Sequence, residues 1–238
     1  MNNCWVFETM INIRDAAEFE QLLKALSDDV VDAHIHYQMY EDLIEAIGKH
    51  PLVVQQSNIF WTFTLQAHLN SCVYALFRAY DQDTRALHLR SWLTTIQENL
   101  HLFDEESFRE RLKENPYVAS LAEDSRKPDA TTLADDIAAC SSTDLIVKRL
   151  TVYRSSRIAH RNAKALLSPG DIGERFGLTF DDIRTLLERA KTIVNRYSYM
   201  FAASVYSTKV IGHDDFEYIF KCVEEKVEEA CRQWTSQT

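Results

Sequence analysis

Glycine and proline are scarce, with 5 and 4 in 238 residues, against a usual combined share of about 12%. Strands need those residues at their turns, so an all-β fold is nearly excluded and an α/β fold would be short of turn residues. The five cysteines, Cys4, Cys72, Cys140, Cys222 and Cys231, are odd in number and scattered. They form no C-x-x-C and no cysteine–histidine cluster at zinc spacing, and they read as reduced thiols of a cytoplasmic protein. No basic lead followed by an apolar core and a cleavage site opens the chain, and no stretch nears about 20 uninterrupted apolar residues. Secretion and membrane spanning are therefore not expected. Also missing are G-x-S-x-G, a Walker loop, G-x-G-x-x-G, H-E-x-x-H and an EF-hand loop, which removes many enzyme classes. The single Glu-x-x-His pair, Glu98 with His101, falls short of the two pairs and two further glutamates of a di-iron bundle. Asp32, His34 and His36 alternate as metal ligands on a strand would, but on a helix residues two apart point to nearly opposite sides. The reading is of no metal and no cofactor.

What the chain does have is apolar residues, 46% of the total, and a net charge of −10 from 26 basic and 36 acidic groups. The first is ample for a core. The second argues against a globally electropositive nucleic-acid binder, so an anionic ligand needs a local basic patch. Helical periodicity dominates. Phe19, Leu22, Leu23 and Leu26, then Val30, Val31, Met39, Leu43 and Ile47, predict two helices interrupted near Ser27-Asp28-Asp29 and closed by Gly48. After Pro51, a run through Ile59, Phe63, Leu69, Leu76 and Tyr80 is apolar over more than half its circumference, which predicts the central helix of a bundle. Its aromatics Phe60, Trp61, Phe63, Tyr74, Phe77 and Tyr80 are expected in the core rather than in a base-stacking platform. Tyr197, Tyr199, Phe201 and Tyr206 are expected in the core or at a dimer contact. Helices follow over His88 to Leu100 and from Asp104, whose carboxylate can cap Glu106 and Ser107. The polar stretch 123–132 reads as a linker or mobile loop. A helix from about Ser142 to Leu167 comes next, then one opened by a variant capping box at Thr179-Phe-Asp-Asp182 and running to about Tyr206, and a last one from Phe216 to Trp234. The fold class is all-α, an antiparallel helical bundle, read as one domain over 1–238.

One segment departs from the acidic background. Lys148 to Lys164 carries six lysines or arginines and no acid. At about 100° per residue, Leu145, Val152, Ala159, Ala163 and Leu166 form an apolar stripe, with Arg154, Arg157, Arg161 and Lys164 roughly opposite and His160 at the edge. Guanidinium groups grip phosphate oxygens bidentately, and an imidazole moves protons near neutral pH. The residues alone leave two readings open. One is a phosphodiester site; the other is a solvated face paired with acids of neighbouring helices, such as Glu188 or Asp182.

Tyr153-Arg-Ser-Ser-Arg-Ile-Ala-His-Arg-Asn162 resembles the Arg-x(4–6)-His signature of the HEPN superfamily, in the branch of the abortive-infection U proteins. Leu76-Phe-Arg-Ala-Tyr-Asp81 and Gly177-Leu-Thr-Phe-Asp-Asp-Ile183 are similar to that branch as well. The resemblance covers roughly 55–205, with the helices of 15–49 and 214–234 as additions to a HEPN-like core. It implies a cytoplasmic homodimer with motif helices facing one cleft, and a metal-independent endoribonuclease that leaves 2′,3′-cyclic phosphate ends. His160 would be the general acid or base and Arg154 the group that stabilises the phosphorane. Ser155, Arg157, Arg161, Asn162 and Lys164 would hold RNA or a nucleotide. A phage-defence or toxin role with a separately encoded antitoxin or defence partner would follow by analogy. The position after the motif arginine, commonly Asn, Asp or His in the family, is Ser155, which cannot present an amide or a carboxylate. The alternative is a non-catalytic helical dimer that binds a nucleotide, nucleic acid or acidic protein.

Overall fold

Ten α-helices and one 3-10 turn, with no strand, make up the regular structure of a computed structural model among the residues it describes, 11–124, 126–154 and 177–235. In chain order they are α1 (Ala16–Lys49), α2 (Pro51–Gln56), α3 (Asn58–Ala79), α4 (Leu89–Glu98), the 3-10 turn (Leu100–Phe103), α5 (Glu105–Arg111), α6 (Val118–Leu121), α7 (Ala130–Ala139), α8 (Leu145–Tyr153), α9 (Phe180–Ala202) and α10 (Phe216–Thr235). The all-α expectation is met. Among the described residues no helix is long and apolar enough to cross a membrane.

Local capping chemistry sets most of the helix starts. Asp104 accepts from the Ser107 amide at 2.7 Å and Asp129 from the Thr132 amide at 2.8 Å. Thr179 and Asp182 form the expected reciprocal box, each bond 3.0 Å. Such caps satisfy amides that a first helical turn leaves without partners, at about 1 kcal/mol each. His88 caps α4: its Nδ1 accepts from the Ser91 amide at 3.2 Å, while Nε2 lies 3.2 Å from the Asp83 carbonyl. Those two contacts fix the tautomer with the proton on Nε2, since Nδ1 must offer a lone pair.

The chain divides into two compact units. The described parts of Met1–Val31 and Ala75–Ser207 form the first. Its core is aromatic: Phe19 stacks on Trp92 at 5.7 Å between centroids, sits 4.7 Å from Phe201 and meets Phe103 edge-on, and Trp92 meets Tyr197 edge-on. Such pairs add about 0.5–1.5 kcal/mol to their area burial. Tyr80, fully buried, donates its hydroxyl to the Leu186 carbonyl at 2.8 Å. The described parts of Asp32–Tyr74 and Thr208–Thr238 form the second unit. There Leu43, Ala46, Val53, Trp61 and Phe220 make the core, with Trp61 4.5 Å from Phe220.

Three expectations need correction. The first helix is not interrupted at Ser27-Asp28-Asp29, because each polar group finds a partner that helical geometry allows. Ser27 donates to the Leu23 carbonyl one turn back at 2.7 Å, Asp28 pairs with Lys24 at 2.9 Å, and Asp29 accepts from Arg78 at 2.7 Å. Phe60, Phe63 and Tyr74 are exposed, not core, since Trp61 and the half-buried Leu65 already hold the inner face of α3 in the second unit. Tyr199 is exposed too, where it donates to Asp124 at 2.5 Å, while Tyr197 and Phe201 are core as expected. The stretch 123–132 is largely exposed, as a loop would be, but it is anchored: Arg126 is 3% exposed, stacks on the Phe108 and Tyr199 rings at 4.4 and 4.6 Å, and donates to the Tyr199 and Leu121 carbonyls. The short α7 opens inside the same stretch, at Ala130.

Replacing Arg126 with Ala removes a buried cation from two rings and takes the side-chain donor from the Leu121 carbonyl, while the Tyr199 carbonyl keeps the Ala203 amide. The expected loss is about 2–4 kcal/mol of stability, read from urea unfolding followed by circular dichroism.

Candidate functional site

The basic segment begins on α8, and ion pairs set the position of that helix. Asp144 caps it, accepting from the amides of Ile146 and Val147 at 2.9 and 3.0 Å. The same carboxylate lies 3.3 Å from Arg189 of α9, whose Nη1 also donates to the Ala139 carbonyl at 2.6 Å. In mid-helix, Arg149 donates through Nη1 to both oxygens of Asp182, at 3.1 and 3.2 Å. At the C-terminal end Arg154 donates to Asp81 Oδ1 at 3.1 Å. Three carboxylates therefore tie α8 down along its length, two through α9 and one through the loop after α3.

That loop is folded around Asp81. Its Oδ1 accepts from the amides of Gln82 and Asp83 at 2.7 and 3.3 Å in addition to Arg154. Gln82 ties the loop to the end of α7 by donating from Nε2 to the Cys140 carbonyl at 3.1 Å, and to the carbonyls of Tyr80 and Asp81 at 2.9 Å. Asp81 thus arrives at Arg154 on a braced loop.

The rotation of α8 differs from the stripe read in the sequence. Leu145 is 61% exposed, and the buried residues of the helix are Val147 and Leu150. Leu145 is the first residue after the cap, and the inward side is fixed instead by Val147, Leu150 and the Arg149–Asp182 pair. At about 100° per residue, Arg154 lies nearly opposite Leu145 and so continues the inward face beyond the core. There it meets Asp81 with its side chain still 46% exposed. A guanidinium has five N–H donors in a fixed fork, so engagement of Nη1 by one carboxylate oxygen does not use up its capacity.

Arg154 is the one residue of the expected site that the structure describes. Ser155, Arg157, His160, Arg161, Asn162 and Lys164 lie outside the described residues. The structural reading expects Arg154 to pair with an acid, and it does, though with Asp81 and not with the two acids named: Arg149 takes Asp182, and Glu188 pairs with Lys191 at 2.8 Å. The residue missed by sequence reasoning is Asp81. A signal was present, because it closes the stretch Leu76–Asp81 that carried part of the resemblance, but a carboxylate after a helix reads first as a terminator. Glu98 and His101 are both exposed, and among the described residues no group of three or more His, Cys, Asp or Glu gathers at metal-binding distance.

Burial pushes the Asp182 carboxyl up, but the Thr179 amide and hydroxyl and Arg149 outweigh it and hold the group below the ordinary carboxylate range. A depressed folded-state pKa means stabilisation that is present above the unfolded value, about 3.9, and lost as pH falls through the folded one. Asp182→Ala is expected to cost about 1–3 kcal/mol at neutral pH. The gap between variant and wild type should narrow as unfolding is repeated below about pH 4.

A family model, HEPN_AbiU2, described as AbiU2, matches residues 16–224. The match takes in α1, the whole of the basic segment and the first part of α10. No curated protein and no solved structure matches the chain.

Proposed function

Because the chain belongs to the HEPN AbiU2 family, we propose that it binds RNA at the Arg154–Lys164 segment and cleaves it without a metal, as an effector of phage defence or a toxin. The observation that carries this reading is the placement of Arg154: a half-exposed guanidinium at the C-terminal end of α8, held from the side by Asp81, six residues before His160. His160 serves as general acid or base for attack of the ribose 2′-hydroxyl on the adjacent phosphorus. The 2′ oxygen forms the new P–O bond, the 5′ oxygen leaves with a proton, and the product keeps a 2′,3′-cyclic phosphate. Arg154 neutralises the crowded phosphorane, where negative charge builds up. Arg157, Arg161 and Lys164 hold flanking phosphates, with Ser155 and Asn162 as polar contacts, so binding weakens with salt. Two copies with facing motif segments would together form the cleft for the strand.

A second reading is favoured by the Asp81 ion pair and by Ser155: the same basic surface binds a nucleotide, nucleic acid or acidic protein and turns nothing over. Purified full-length protein with labelled single-stranded RNA separates the two. On the first reading His160→Ala loses about 10²–10⁴-fold in cleavage rate while its RNA affinity at low salt is retained, and Arg154→Ala loses both. Binding without cleavage by the wild type leaves the second reading standing, and absence of binding at low salt overturns both.

A further inference from the structure

His36 of α1 and His68 of α3, both in the second unit, face each other with their Nδ1 atoms 3.0 Å apart. Their rings are tilted by 51°, with centroids 5.2 Å apart, and both side chains are part-buried. Two ligand nitrogens at about 2.0–2.1 Å from one metal ion, at right or tetrahedral angles, stand about 2.8–3.4 Å from each other. The observed separation falls in that interval. Imidazole suits zinc, nickel and copper, where carboxylate and water would favour magnesium or calcium.

We propose that His36 and His68 form a two-histidine chelate for a divalent transition-metal ion of the zinc, nickel or copper class, linking α1 to α3 within the second unit. Water completes the coordination shell, because no third ligating side chain gathers with the pair among the described residues. Cys72, one turn after His68, is buried and does not gather with the pair. Asp32, one turn before His36, is exposed. Without metal, one ring donates its Nδ1 proton to the other ring's Nδ1. With metal, that proton moves to Nε2 of the same ring, both Nδ1 lone pairs point at the ion, and no proton leaves a neutral pair. The alternation of Asp32, His34 and His36 pointed away from a metal on α1 alone; the second ligand comes instead from a helix 32 residues further on.

Calorimetric titration of the reduced full-length chain with Ni(II) tests this, alongside proton spectra of the histidine rings. The expected result is one site, weakened by more than about tenfold in His36→Gln and in His68→Gln and unchanged in His101→Gln. Ni(II) should also raise the melting temperature of the wild type and of neither weakened variant. Should a variant fold poorly, the wild-type spectra decide. Paramagnetic broadening confined to two histidines supports the chelate; broadening of none, or of any other set, overturns it. Absence of binding, or unchanged affinity in either glutamine variant, overturns it as well. None of these readouts depends on cleavage of RNA.

Discussion

The position of α8 depends on carboxylates that come from elsewhere in the chain. A nine-residue helix cannot hold itself in water, and with Val147 and Leu150 as its only buried residues it has a narrow apolar footing. Asp144 at its start, Asp182 in the first turn of α9 and Asp81 on the loop after α3 supply the rest. Exposed ion pairs contribute little each, but Asp144 and Asp182 are also helix caps, so each fixes a backbone terminus and an arginine together. Arg149 is thereby committed to the fold. Arg154, with a partly exposed partner and a half-exposed side chain, is the cation presented where the helix ends.

This arrangement gives the acid surplus of the chain a structural use. A protein of net charge −10 that carries a cationic segment must stop its own carboxylates from quenching the segment entirely. Arg149 and Arg189 are quenched, since they meet Asp182 and Asp144 in partly buried settings. Arg196 is likewise paired with Asp136, which also accepts from the Tyr197 hydroxyl at 2.9 Å. Arg154 is engaged at one nitrogen by an oxygen already shared with two backbone amides. What separates Arg154 from Arg189 is exposure, with side chains 46% and 20% accessible.

The sequence was legible where structure is decided locally. Thr179 with Asp182, and Asp104 with Ser107, work through bonds spanning three residues, and both were readable as caps from residue types alone. Sequence reasoning failed where a distant partner changed what a local pattern meant. Ser27-Asp28-Asp29 looks like a break until Arg78, 49 residues away, takes Asp29. Arg126 looks like linker until the Phe108 and Tyr199 rings enclose it. The apolar stripe through Leu145 was the correct period with the wrong phase, because on a short helix one or two tertiary contacts outweigh the pattern. The family was legible from ten residues of motif and two flanking stretches, one of which ends on Asp81, but nothing in that stretch says that its last carboxylate meets the motif arginine.

Asp81 also bears on the departure at Ser155. In the family resemblance, an amide, carboxylate or imidazole commonly follows the motif arginine, a group able to accept from a guanidinium or orient a neighbour. Serine offers only a short hydroxyl. Here a carboxylate reaches Arg154 from another element and from a braced loop, so a charged acceptor that Ser155 cannot present comes from elsewhere in the chain. Its charge sets a limit. A carboxylate beside the arginine fixes the geometry of the fork but repels an incoming phosphate, and that repulsion is weakened by the two amides already bonded to the same oxygen. The result is an arginine whose fork is oriented and whose charge is partly offset. On the cleaving reading proposed above, charge that grows at the phosphorane would strengthen the arginine contact more than charge already present in the substrate.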